Sequence, residues 1–300
     1  MNDMNRDHAS LPLASHRMRP LLSPFTAARI LVAAPVLPLV ADTLPLAEQF
    51  RSALLSKCKD LCLRRNAKLS DQEVWSRAPA FVGKDADGRP LTGHGHAFFL
   101  PADEDGDGRI DHVTLVAERG LSGLERRAVE RLRVLRFGAG EPLRVALVAL
   151  GRTEQLRGAV LDESATWVSA TPFVATRYPK LRGRKRDQPA DYATPLAFAR
   201  HVLQEELERL RQRRPDLPAV IAIEPLPVQY LGAGRLRPLQ FKRERRKAGD
   251  DGSRRPSGAF CIAFAAPTRG PLCLGHSSHL GLGLFVPGEE EKERKQAVMS

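Results

Sequence analysis

The feature that most constrains this chain is a change of apolar period that runs in a fixed order. "ARILVAA" (28–34) is a short β-type run. Ala47, Phe50, Leu54 and Leu61 then recur on one face of a helix over 44–62, and Thr43 is placed to cap it. "HAFFL" (96–100) and "HVTLVA" (112–117) read as strands, and 63–95 before them as a long polar loop. In "SGLERRAVERLRVLRFG", Ser122 and Glu125 have capping-box spacing and Gly138 is the expected stop. "LRVALVALG" (143–151) is a buried-type strand. The order β-α-β-β-α-β is that of one ferredoxin-like unit.

The order then starts again. "TWVSATPFV" (166–174) reads as a strand, and Thr194-Pro195 opens a helix to about 213 with Leu196, Ala199, Leu203, Leu207 and Leu210 on one face. "AVIAIEPL" (219–226) and "AFCIAF" (259–264) are strands around a basic loop. A glycine-rich stretch, "APTRGPLCLGHSSHLG", stands where a second helix is due, and "LGLFV" (282–286) is the last strand. The expected fold class is therefore α+β: tandem ferredoxin-like (RRM-like, βαββαβ) units, the second with a C-terminal glycine-rich loop. The expected divisions are an arm (1–27), a first domain (28–152), a second domain with the basic and glycine-rich loops (153–287), and a disordered tail (288–300).

Charge points to a partner. Lys and Arg total 47 against 35 acids, a net +12, and most of the excess is Arg. Guanidinium pairs with phosphate bidentately and stacks on bases, so the balance favours nucleic acid. "RYPKLRGRKR" (177–186) supplies Arg177, Lys180, Arg182, Arg184, Lys185 and Arg186. "RLRPLQFKRERRK" (235–247) supplies Arg235, Arg237, Lys242, Arg243, Arg245 and Arg246. Both stretches lie in loops of the second unit and make a candidate footprint for a phosphate backbone. The glycine-rich loop, with Gly275, His276, Gly281 and Gly283, is a further candidate, since glycine lets backbone N–H groups approach a phosphate. It matches neither a P-loop nor a dinucleotide fingerprint.

Four cysteines are too few for a disulfide framework, and Cys58 and Cys62 read as buried thiols. "ILVAAPVLPLVA" (30–41) has two prolines and is too short to span a membrane. The expectation is a cytoplasmic protein with no membrane partner.

Asp103, Asp105, Asp107, Gly108 and Ile110 match the start of a calcium loop, but position twelve is Thr114 rather than a bidentate Glu. The flanks are strands, so the loop reads as a hairpin turn. No metal and no cofactor are expected. Imidazole serves as acid or base near neutral pH. Three histidines are placed for it: His94 and His96 before a strand, and His279 in the glycine-rich loop. Spacing does not choose among them. Alternation puts His96 on the face of Phe98 and Leu100, normally the buried side.

"GKDADGRPLTGHGHAFFLPADEDGDGRIDHVTLVA", "TWVSATPFVATRYPK" and "HSSHLGLGLFVP" together resemble the processing half of the fused CRISPR-associated subunit of type I-U/I-G systems, in the RAMP superfamily. The resemblance spans 28–287. It implies a glycine-rich loop that contacts RNA and metal-independent cleavage of CRISPR repeat RNA. The 2′-OH would attack the phosphate, leaving a 2′,3′-cyclic phosphate and a 5′-OH. Implied partners are the repeat RNA or mature crRNA and other type I effector-complex subunits. Relatives often carry a further N-terminal half that resembles a backbone subunit. A non-catalytic crRNA-binding subunit and a calcium-dependent interaction protein are the competing classes.

Overall fold

The computed structural model describes residues 25–64, 66–84, 89, 95–183, 186–232 and 235–288. Residues 1–24 of the expected arm, residues 289–300 of the expected tail, His94, Arg184 and Lys185 lie outside the described residues.

The first half runs β1 (Ala27–Ala33), α1 (Thr43–Leu63), α2 (Asp71–Ser76), α3 (Pro79–Val82), β2 (Phe98–Ala102), β3 (His112–Val116), α4 (Gly123–Arg131), β4 (Val134–Leu135) and β5 (Leu143–Gly151). Its sheet has the order β2-β3-β1-β5-β4 and every pairing is antiparallel. Alternation along the strands sorts side chains onto two faces. Ile30, Phe99, Val113 and Val145 face α1 and α4, where Phe50, Leu54 and Ala128 are fully buried. Ala27, Phe98, Leu100 and Val116 face the other way.

The second half runs β6 (Glu163–Ser169), β7 (Phe173–Val174), α5 (Pro195–Arg213), β8 (Val220–Pro225), β9 (Ser257–Gly258), β10 (Phe260–Arg269), β11 (Leu272–Cys273) and β12 (Leu284–Pro287). Its main sheet has the order β11-β12-β6-β10-β8, and β7 pairs with β9 apart from it. Thr194 caps α5 by accepting from the Ala197 N–H at 3.0 Å. Phe198, Val202 and Leu203 of α5 pack on Trp167, Phe260, Ile262 and Phe285. Between β11 and β12 the chain makes a 3-10 turn, Ser278–Leu280. The halves meet through a cluster of Phe98, Leu100 and Val116 with Val160, Leu161, Cys273 and Leu284. Leu280 and Leu282 also enter the core of the first half.

Three elements differ from the sequence reading. The helix expected to reach Gly138 ends at Arg131; Leu132 turns extended (ψ 124) and Val134 pairs with Arg144. The strand expected over 166–174 divides, because Pro172 has no N–H for a ladder. Phe173 then pairs with Gly258 instead. The loop expected over 63–95 contains α2 and α3; Ser70 and Glu73 close a capping box on α2, with the Ser70 N–H donating to Glu73 at 2.8 Å.

Candidate nucleic-acid interface

His96 is held from behind by a short helix with two anchors. Glu125, capping its own helix α4, also accepts from the Ala80 N–H at 2.8 Å and the Phe81 N–H at 3.2 Å at the start of α3. Arg51 of α1 donates to the Phe81 and Val82 carbonyls at 2.7 and 2.8 Å, satisfying the other end. The Ala80 carbonyl then takes the Ala97 N–H at 2.8 Å. Gly83 closes α3 in the left-handed region (φ 71), and a Cβ there would sit 3.4 Å from the His96 side chain. His96 is therefore seated against rigid backbone.

His279 arrives from the other half. Thr171 Oγ1 donates to the Gly281 carbonyl at 2.7 Å, and Cys273 Sγ lies 3.1 Å from the Ser278 carbonyl oxygen, so both ends of the turn are fixed. The His279 ring stacks on His96 at 3.5 Å between centroids (26°) and on Phe98 at 3.9 Å (21°). Its Nδ1 is 3.4 Å from the Ala97 carbonyl oxygen. The Arg119 guanidinium packs beside Gly95, where a Cβ would meet its Cζ at 3.1 Å. Two half-buried imidazoles thus meet where the halves join, with the Arg119 guanidinium against Gly95, the residue before His96. Such a set can move protons and neutralise an anion. The face shared by His96 and Phe98 is the one turned to the second half. Arg119 escaped the sequence reading because nothing local marks it.

The glycines of the loop make close approaches within the protein itself. Gly275 (φ 94) would place a Cβ 2.6 Å from the Val174 carbonyl oxygen, and Gly281 (φ 83) one 2.7 Å from Thr43 Cγ2 and 2.9 Å from Pro101 Cδ. A Cβ on Gly283 (φ 64) would run into the Leu274 carbonyl oxygen. The close approach these residues permit is to the protein's own chain. His276 likewise turns inward, its Nε2 3.1 Å from Asp250 Oδ1, and burial pulls its pKa down.

The basic stretches divide. Arg177 forms a fork on Asp187 (2.7 and 2.7 Å), also donates to Glu205 at 2.8 Å, and lies over the Phe198 ring at 5.1 Å. That pairing raises the Arg177 pKa and holds Asp187 down at about 2. Arg243 is buried, donating to Ser257 Oγ at 2.6 Å and the Ser253 carbonyl at 2.8 Å. Both arginines spend donors on groups of their own chain. Arg245 pairs with Glu48 at 3.1 Å and Lys242 with Asp42 at 2.6 Å, tying the second loop to α1 and its entry. Lys180, Arg182, Arg186, Arg235, Arg237 and Arg246 are exposed.

In the acidic hairpin, Asp103 accepts from the Gly106 and Gly108 N–H groups at 2.7 and 2.8 Å, and Asp107 from the Arg109 N–H at 2.7 Å. The carboxylates make the turn. Asp187, His201 and Glu205 form another cluster of ligand type, but the Arg177 guanidinium already lies among them.

No family profile matches the chain. No curated protein matches it. Among solved structures, a "Cas6 (TTHB231) product complex" aligns over 88% of this chain and 100% of that one, at 16% identity and a TM-score of 0.37. A likeness at that level establishes neither family nor function. The fold itself defines an α+β protein with two five-stranded antiparallel sheets among the described residues and a histidine stack where the halves join. No helix among the described residues is long and apolar enough to cross a membrane.

Proposed function

We propose that this chain is a metal-independent endoribonuclease that processes CRISPR repeat RNA. The observation that carries the proposal is the stack of His96 on His279, with the Arg119 guanidinium against Gly95 next in sequence to His96. One imidazole takes the proton of a ribose 2′-OH, and that oxygen attacks the adjacent phosphorus. The P–O5′ bond breaks, the other imidazole gives O5′ its proton, and Arg119 offsets charge on the phosphorane. The products are a 2′,3′-cyclic phosphate and a 5′-OH. The sequence resemblance supports the RNA assignment, as does the net charge of +12. On this reading the halves are RAMP-type ferredoxin-like units (28–152 and 153–287). The product stays bound in a cytoplasmic type I interference complex. His94 remains a third candidate for the acid or base.

The test is incubation of the purified protein with its cognate repeat RNA in EDTA. Cyclic-phosphate ends are expected; uncut RNA, or cutting only with magnesium, refutes the proposal. One observation favours a second reading, a crRNA-binding subunit that does not cut. His279 lies between two rings, as a packing residue does. That reading predicts retained RNA and no cleavage.

A further inference from the structure

Behind Phe98, a cleft of about 380 Å³ opens between the halves. Thr26 and Glu118 come from the first half, and Arg213 and Arg214 from the end of α5. Arg269, at the end of β10, completes the wall. The cleft and the histidine stack share Phe98, whose ring lies 3.9 Å from His279 and also lines the cleft. Whatever enters the cleft therefore sits one aromatic ring away from the imidazoles.

The charges of this cleft are unequal. Three arginines line it against Glu118 and Glu154. Glu118 lies in the field of Arg214, Arg213 and its neighbour Arg119. Arg214 reaches Asp216 only at 4.0 Å. Arg269 gives Nη2 to the Leu156 carbonyl at 3.2 Å, while its Nε is buried with no partner among the described residues. The cleft thus holds a cationic surplus. That chemistry suits a phosphate polyanion and disfavours a free cation.

We infer that Arg213, Arg214 and Arg269 form a subsite for the phosphodiester backbone of single-stranded RNA next to the cut. The inference rests on the proposed function for its RNA. None of the three arginines belongs to the basic loops, so backbone tracking is assigned to the seam between the halves. Arg213 and Arg214 end a helix and point to a cleft, so their loss leaves both cores intact.

The experiment measures binding of the cognate repeat RNA, and of an oligo-uridine control, in EDTA across a salt series. Each single-strand phosphate contact contributes a slope of about −0.7 in log Kobs against log salt. Arg213→Ala/Arg214→Ala should make the slope shallower by about 1 to 1.5 for both RNAs. It should weaken binding roughly tenfold or more at about 0.15 M salt. Glu118→Gln, which removes an opposing charge, should tighten binding. Wild-type slopes in both variants overturn the subsite while leaving the proposed function standing. A wild-type protein that binds no RNA overturns both. Altered slopes in a protein that never cuts RNA support the subsite and overturn only the nuclease.

Discussion

The imidazoles of His96 and His279 lie 3.5 Å apart, although the two residues belong to different halves of the chain and to different sheets' connections. His96 is anchored within the first half, and the turn that carries His279 is seated both by Thr171 and against Thr43 and Pro101, so the stack depends on the docking of the two halves. Substitutions can separate proton transfer from packing. His279→Ala and His96→Ala should slow single-turnover cleavage in EDTA by roughly a hundredfold or more. His279→Phe preserves the stack and removes the exchangeable proton, so it should be as slow as His279→Ala. Recovery of the parent rate in His279→Phe would assign the ring to packing alone.

Gly281 and Gly283 should report on stability before they report on RNA. Gly281→Ala adds a Cβ at φ 83, 2.7 Å from Thr43 Cγ2. A loss of about 1–3 kcal/mol is expected from left-handed strain and the clash together. Gly283→Ala meets a carbonyl oxygen rather than a side-chain methyl, and should cost more. Denaturant melts decide this. Unchanged midpoints would return the glycines to the RNA.

Asp187 gives the fold an acid-sensitive element. Its hydrogen bonds with Arg177 hold its carboxyl down at about 2, below its ordinary value of 3.8. A depressed pKa stabilises the fold above the unfolded value, and that stabilisation is lost as pH falls through the folded one. The advantage of the parent over Asp187→Asn should be on the order of 2 kcal/mol at neutral pH. It should shrink between about pH 4 and pH 2. A difference that stays constant over that window would mean that the Asp187 pKa is not depressed in the fold.

The two kinds of arginine in the basic stretches should separate cleanly. Replacing Arg182, Arg186, Arg235 and Arg237 with Ala is expected to weaken RNA binding and flatten its salt dependence without shifting the melting point. Arg243→Ala should lower the melting point, because Ser257 Oγ and the Ser253 carbonyl lose their donor. A salt slope unaffected by the fourfold change would place the exposed loops away from the RNA.

Calorimetry should find no calcium binding tighter than about millimolar. Asp103→Ala should instead loosen the hairpin, because two N–H groups lose their acceptor. Micromolar calcium affinity lost in Asp105→Ala would reverse this assignment.

Much of the fold was legible because period and capping are local. Phe50 and Leu54 mark the inner face of α1, and Thr194-Pro195 marks the start of α5. The end of α4 was not legible, since helix-forming residues continue past Leu132 and only pairing of Val134 with Arg144 overrides them. The short helices α2 and α3 were missed although Ser70 and Glu73 carry a capping-box spacing. For the site, sequence could nominate His96 and His279 but not bring them together. The contact depends on Thr43 and Pro101 receiving Gly281. The internal partners of Arg177 and Arg243, Glu205 and Ser257, were not legible either, because they are distant or unremarkable in sequence.

Leu280 and Leu282 fill the core of the first half, yet they are synthesised after nearly all of the second. The first half therefore emerges from the ribosome with a socket that its own residues cannot close. Folding during synthesis stays provisional until β12 is made, and a chain interrupted before that point leaves a bared apolar surface for chaperones or proteases to find. Hydrogen exchange on an isolated 25–152 fragment would test this. Amides of α1 near Thr43 should exchange faster there than in the whole chain.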